Sequence, residues 1–489
     1  MTIPRLPAIS LFSNCGAGDS GYARAGFRFQ VLAELQQPRL NVAALNHRQA
    51  RTVPGDLRDT WPEVVAAYRE RLGGRAPALL AACPPCQGLS SAQSRRGLAE
   101  DADAGSRDHR NLLIEVVAEV ALALLPRAIV VENVVAFLTR SVRHPDTGQA
   151  ISAARLLVER LAEEYRAFAI RTDLADFGVP QARRRAFVTL VRRDEPGLAR
   201  FVEAGCVPFP RPTHGNDTSK EQLTLRTALA ALAADPLDAA EDESAGTGMH
   251  RVPVWNERRY RMVARIPPNS GLSAWDNTDC DRCGAVSARR DYATCERCGA
   301  PLLRPVIKDK GRWRLISGFR NSSYRRMAPD RPAPAITTAS GRIGSDNTLH
   351  PSENRVLSML ECQYLQTIPE TFDWGDHLDT HGHTSLRAMI GEAVPPQFTQ
   401  MHGAVLASLL DGRLPRHALS ANDQRVQEAH RRLQLGQGRR LTGQSSLSPP
   451  DSATGMLLGR TSGDMRMPAA QNDACERRVQ SSWEATLGC

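Results

Sequence analysis

No uninterrupted apolar run of 18 residues occurs in the 489-residue chain. The best candidates, around Val116–Leu125 and Ala128–Leu138, are short or broken by charge, so a membrane-spanning helix is excluded. The N-terminus lacks a basic segment leading into an apolar stretch, so no secretory leader is expected. Cysteine is sparse. Eleven in so long a chain cannot build a disulfide scaffold, and their spacing points to metal binding and catalysis instead. Lysine is almost missing: Lys220, Lys308 and Lys310 are the only three among 62 basic residues, a skew toward arginine that reads as the codon bias of a GC-rich genome.

What is present is ordinary in amount and uneven in placement. Hydrophobic residues make up 42% of the chain, as in a globular protein, and the length allows two to four domains at roughly 100–200 residues each. The formal charge is +9, yet residues 251–326 alone carry 17 Arg and Lys against 7 Asp and Glu. A local excess larger than the whole chain's points to a polyanion bound by one region.

The first 195 residues alternate short apolar runs with amphipathic stretches. Pro7–Phe12, Phe29–Leu35, Ala78–Ala82, Ala128–Val131 and Ala186–Val191 read as buried strands; Gly21–Ala25, Glu63–Leu72, Leu112–Leu124 and Ala153–Tyr165 show helical spacing. This alternation predicts an α/β domain with a largely parallel sheet. A loop-rich stretch with Pro208–Pro212 and the acidic Asp235–Glu243 follows, then the basic, cysteine-bearing region. A regular pattern returns near Ala335 and runs to about Gly412. Residues 413–489 are rich in Gln, Ser, Gly and Arg, which predicts a disordered tail with at most one helix, around Ala421–Leu435.

Several segments carry chemistry. Gly16, Gly18 and Gly21 form a GxGxxG at the turn after the first strand, where bare backbone lets a nucleotide-like ligand approach; Glu34 ends the next strand, where an acid would bond a ribose hydroxyl. Asp19 disfavours pyrophosphate there. Cys83-Pro84-Pro85-Cys86-Gln87 follows a later strand and allows two readings, a redox CxxC pair or a lone nucleophile at Cys86. Glu132 ends another strand, where a general acid could stand, and Gln181-Ala182-Arg183-Arg184-Arg185 offers guanidinium donors at alternating positions. Finally, Cys280, Cys283, Cys295 and Cys298 form CxxC-x11-CxxC, each pair followed by Gly, the spacing of a four-cysteine zinc ribbon. Cys15, Cys206, Cys362, Cys475 and Cys489 have no partner at an informative spacing. His47, His214, His377, His381 and His383 read as surface residues. Trp313, Phe319 and Tyr324, interleaved with arginines, fit either nucleic-acid contact or the core of a small domain.

Taken in order, Phe12–Gly18, Pro85-Cys86-Gln87, Glu132-Asn133-Val134, Gln181-x-Arg183-x-Arg185, Asn354-Arg355-Val356-Leu357 with Leu365-Gln366-Thr367-Ile368-Pro369, and Ala393-Val394-Pro395-Pro396 make the sequence resemble the DNA cytosine-5 methyltransferase family. The resemblance spans about residues 8–410 and resolves the cysteine question in favour of Cys86. It implies a Rossmann-like S-adenosylmethionine-dependent methyltransferase domain with a smaller zinc-containing target-recognition domain. The catalytic lobe would be 1–195, completed by 336–412, and the recognition domain 196–335, with the ribbon at 280–298. By resemblance Cys86 is the nucleophile, Glu132 protonates the cytosine ring, Arg185 binds its carbonyl and Arg183 supports it. Phe12, Gly16, Gly18, Glu34, Asp56 and Leu113 would contact S-adenosylmethionine, near the Asp108-His109-Arg110-Asn111 segment. The implied partner is double-stranded DNA and the implied setting a bacterial cytoplasm and its nucleoid, as a monomer, with a cognate restriction endonuclease or as an orphan methylase. Rival readings are a transfer-RNA methyltransferase and a non-catalytic DNA-binding protein on the same fold. Asn14 and Glu392 depart from the family pattern, which commonly has Gly and Asn there.

Overall fold

The computed structural model describes residues 6–85, 109–216, 218–287, 289–316, 322–345 and 348–435. Contacts divide these residues into two compact units, one of 6–277 and 322–435 and a small one of 278–316.

The larger unit is built on a seven-stranded sheet. Its strands are β1 (Leu6–Leu11), β2 (Phe27–Glu34), β3 (Arg51–Pro54), β4 (Leu79–Ala82), β5 (Ala128–Asn133), β6 (Tyr165–Asp173) and β7 (Arg184–Arg192), in the order β3-β2-β1-β4-β5-β7-β6. The first five run parallel, and β7 is antiparallel to both neighbours. Every residue of β1, β4 and β5 is buried, which is why these strands read as continuous apolar runs rather than alternating ones.

Each face of the sheet has its own apolar layer. On one lie α3 (Leu57–Leu72), α4 (Leu113–Leu124) and α5 (Ala153–Arg160), contributing Val64, Tyr68, Val117, Val120 and Leu156. On the other, α2 (Gln37–Asn46) and the Pro196–Glu203 and Pro396–Leu410 helices supply Leu40, Phe201, Phe398 and Leu406. Chain order reverses between β1 and β4, so the loops after these strands flank a topological switch point, the place where open α/β sheets hold their ligands.

The structure departs from the expectations in three places. The helix expected to reach Tyr165 stops at Arg160, and Tyr165 begins β6, its hydroxyl donating to the Pro126 carbonyl at 2.8 Å. Tertiary pairing with β7 overrides a locally helical pattern. Residues 413–435 hold more than the one helix expected around Ala421–Leu435: that helix forms as Gln424–Leu435, burying Val426 and Ala429, and ahead of it an unexpected strand, Ala418–Ser420, pairs with Cys206–Pro210. Residues 436–489 lie outside the described residues. The separate small unit is also narrower than 196–335, because Leu198, Phe201, Val207 and Phe209 are core of the larger one. No helix among the described residues is long and apolar enough to cross a membrane.

Candidate active site and metal centre

The loop after β1 is shaped by left-handed backbone at Phe12 (φ 55°), Asn14 (φ 50°) and Gly16 (φ 75°). Gly16 caps α1 (Ala17–Arg24), and a Cβ there would stand 2.8 Å from the His47 ring, whose Nε2 lies 2.9 Å from the Gly16 carbonyl. His47 is therefore a brace of the loop, not the plain surface residue expected. Gly21 serves packing: a Cβ would fall 2.0 Å from Thr399 Oγ1 and 2.2 Å from the Pro396 carbonyl, so only glycine lets α1 lie on the Pro396–Leu410 helix. Asp19 faces inward. Burial pushes its carboxyl up to about 6 against the opposing pull of His47 and Ser10.

Glu34 stands buried at the end of β2, accepting the Asn14 N–H at 3.0 Å and the Gln36 N–H at 3.1 Å; burial lifts its carboxyl above the usual range. Both departures from the family pattern find partners here. Asn14 Nδ2 donates to the Met389 carbonyl at 2.9 Å, and Glu392 forms an ion pair with Arg39 of α2, so its charge is compensated. Sequence reasoning missed Arg39, whose signal appears only when residues 353 positions apart meet. Asp56 caps α3 through the Arg58 N–H at 2.9 Å and pairs with the Arg58 guanidinium, which holds its carboxyl below the usual range. Leu113 opens α4, buried in the apolar layer on which Phe12 also packs.

At the ends of β4 and β5 the structure brings together Cys83, Glu132 and Arg185. The Cys83 thiol donates to Glu132 Oε2 at 2.8 Å, and Arg185 Nε sits 2.8 Å from Glu132 Oε1. Glu132 is thus a buried carboxylate held at both oxygens, and Cys83, expected only as a redox partner, is one of its holders. Cys86, three residues on, and Asp108 lie outside the described residues. Asn133 Nδ2 donates to the Pro84 carbonyl at 3.0 Å, anchoring the chain two residues before Cys86 in the sequence. Arg183 is buried and donates to the carbonyls of Ile336 (3.1 Å) and Gly391 (3.0 Å), which makes it a brace between β7 and the C-terminal segment. Gln181 and Gln366 bond each other at 3.0 Å and join the same seam, Gln181 accepting the Ile336 N–H and Gln366 donating to the Ile390 carbonyl.

In the small unit the two CxxC motifs fold as equivalent knuckles. Gly284 (φ 68°) and Gly299 (φ 67°) donate to the Cys280 and Cys295 carbonyls at 2.8 and 2.9 Å, and Cys280 and Cys295 donate in turn to Ala285 and Ala300. The four Sγ atoms lie within 4.8 Å of one another, with Cys280–Cys298 at 3.5 Å and Cys283–Cys295 at 3.7 Å. Thiolates about 2.3 Å from a tetrahedral zinc would be roughly 3.8 Å apart, so the donor set and spacing fit that ion.

Cys15 and Cys362 are inert by environment: burial pushes the Cys15 thiol up to about 12 and raises that of Cys362. His377 is buried rather than on the surface, its Nε2 2.9 Å from Ser385 Oγ.

Comparison with known proteins identifies the family. Residues 6–406 match the C-5 cytosine-specific DNA methylase family. Among curated relatives, the type II methyltransferase M1.HgaI of Avibacterium volantium is 28% identical over 401 residues, covering 79% of this chain and 94% of its own. M.AgeI of Thalassovita gelatinovora is 26% identical, covering 80% and 96%. A solved structure of a candidate DNA modification methyltransferase from an E. coli prophage is 19% identical with a TM-score of 0.49, covering 83% of this chain and 99% of that one.

Proposed function

Because this chain belongs to the C-5 cytosine-specific DNA methylases, we propose that it transfers a methyl group from S-adenosylmethionine to carbon 5 of cytosine in a specific sequence of double-stranded DNA, as a DNA (cytosine-5)-methyltransferase of restriction–modification or orphan type. The observation that carries the assignment of roles is the Glu132 carboxylate held between Cys83 and Arg185, with Cys83 three residues before Cys86 in the sequence.

Phe12, the Gly16 and Gly18 backbone, Glu34, Asp56 and Leu113 would hold the cofactor. The fit rests on the left-handed glycine turn, the buried Glu34 and Asn14 Oδ1, a buried acceptor with no hydrogen-bond partner among the described residues. When bound, S-adenosylmethionine supplies an electrophilic methyl group. The protein's own work is to make cytosine nucleophilic. The base is flipped from the duplex at an unstacking cost of a few kcal/mol. The Cys86 thiolate adds to ring carbon 6 while Glu132 protonates ring nitrogen 3 and Arg185 binds the ring carbonyl, so the charge of addition is drained and carbon 5 takes the methyl. Water then takes the carbon-5 proton, ring nitrogen 3 returns its proton to Glu132, and departure of the Cys86 thiolate restores the aromatic ring.

The small unit is proposed to hold a structural zinc and to belong to the target-recognition region. The protein would work as a monomer at the bacterial nucleoid, with or without a cognate endonuclease. A duplex carrying 5-fluorocytosine at the target tests the chemistry. Parent and Cys83→Ser proteins should form a covalent adduct, Cys86→Ser should form none while still binding DNA, and equal loss in both variants would restore the dithiol reading. Methyl transfer to transfer RNA in place of duplex DNA would favour the rival substrate.

A further inference from the structure

The small unit projects one element that neither the metal nor the catalytic chemistry explains. Val306–Asp309 and Arg312–Leu315 form an antiparallel hairpin in which Asp309 pairs with Arg312 across a two-residue turn. Lys310 (φ 46°) and Gly311 (φ 79°) are both left-handed, the type I′ geometry whose twist matches the strands it joins. The root of the hairpin is fastened to the cysteine knuckles. Arg304 is buried and donates to the carbonyls of Arg289 (2.6 Å) and Tyr292 (3.0 Å), Leu302 packs among Cys280 and Cys295, and Ile316 N–H closes on the Pro305 carbonyl at 3.0 Å.

The tip is exposed and basic on both faces. Alternation along the strands puts Lys308 on the face of Trp313, and Arg312 and Arg314 on the face of Ile307. Asp309 pairs with Arg314 at 2.8 Å, so those two charges cancel. Among the described residues no ion pair engages Lys308, Lys310 or Arg312, and the tip carries a net +3. Two of the chain's three lysines stand here, in a protein that otherwise uses arginine for positive charge. A compact ammonium and a planar guanidinium are not interchangeable at a phosphate or a base edge.

Resting on the DNA-methylase reading above, we propose that the 306–315 hairpin is the element that enters the major groove and discriminates the target sequence. A two-stranded ribbon fits the major groove of B-form DNA, about 12 Å wide and 8.5 Å deep, whereas the deep, narrow major groove of A-form RNA excludes it. Lys308 and Lys310 supply phosphate contacts. Arg312 supplies the bidentate donor pair that a guanine edge accepts.

The test uses the full-length, metal-loaded protein and a duplex carrying the site found by methylation mapping of a host genome. Changing Lys308, Lys310 and Arg312 together to Ala should leave zinc content and S-adenosylmethionine affinity as in the parent. It should lower the log–log salt slope of DNA binding by about 2, at roughly 0.9 for each of the two phosphates no longer neutralised. Arg312→Lys keeps the charge, so the slope should stay while preference at one base position relaxes by about tenfold or more. An unaltered slope in the triple variant together with an unaltered site pattern in Arg312→Lys would overturn the hairpin's role and leave the methylase reading intact. A parent protein that methylates transfer RNA and not the duplex would overturn both.

Discussion

The two units of this protein solve the problem of folding in opposite ways. The larger one buries two apolar layers, one on each face of a seven-stranded sheet, with Tyr68, Phe187, Phe201 and Phe398 fully enclosed. In the smaller one, among the described residues, a cluster forms whose buried members are Cys280, Cys295 and Leu302, with Cys283, Cys298, Ala285, Tyr292 and Ala300 half-buried around them. In the first, burial of carbon outweighs the loss of chain entropy. In the second, the prospective metal ligands are most of the core, so folding and metal binding become one equilibrium.

The largest expected effect follows from that contrast. Chelation, or Cys295→Ser, should remove binding energy on the order of 10 kcal/mol from a unit with little else to hold it. Sequence-specific DNA binding and methylation should disappear while calorimetry still shows S-adenosylmethionine bound to the larger unit. Loss of both would mean that the ribbon supports the catalytic core, and full activity without metal would make the cysteines incidental.

The larger unit should break at a polar point rather than at a metal. Arg355 donates to both oxygens of Glu361 at 2.6 and 2.8 Å and to Glu353 at 2.8 Å, with Arg355 and Glu361 nearly fully buried. Burial alone would raise the Glu361 carboxyl; the Arg355 guanidinium beside it holds it down at about 2. Arg355→Met leaves that carboxylate without its partner, at an expected cost of about 3–5 kcal/mol in urea unfolding. Zinc content should not change. A variant as stable as the parent would show that the large apolar core compensates even here.

The smallest effect belongs to the Arg39–Glu392 pair near the proposed cofactor site, with side chains 12% and 32% exposed. Arg39→Glu or Glu392→Arg should weaken S-adenosylmethionine binding about fivefold, as expected for a partly screened pair worth up to about 1 kcal/mol. Combining the two should restore most of the loss. If the single variants bind as the parent does, Glu392 is a neutral replacement of the family's usual residue.

Expectation and structure differ by the kind of information each carries. Strands β1, β4 and β5 were legible because burial on both faces demands apolar side chains at every position, and the cysteine knuckles because ligand spacing is local. The GxGxxG turn was legible for the same reason, although only the structure separates Gly16, which bends the loop, from Gly21, which lets two helices touch. β3, β6 and α2 were not read: β3 is short and α2 half-exposed, β6 begins where the local pattern reads as helix, and all three gain their stability from neighbours distant in sequence.

By itself, then, the sequence determined the alternating α/β order, the residue types at the chemical site and the four ligands of the prospective metal, all matters of local pattern and spacing. Tertiary structure alone decided which guanidinium meets Glu132 and which braces a seam, for Arg183 and Arg185 sit two residues apart in one motif and end with different partners. It also decided that Cys83 donates to Glu132, that Glu392 is neutralised by Arg39, and that Ala418–Ser420 pairs as a strand with Cys206–Pro210. A side chain's partner is set by where the chain brings distant segments together, and spacing along the sequence does not encode that distance.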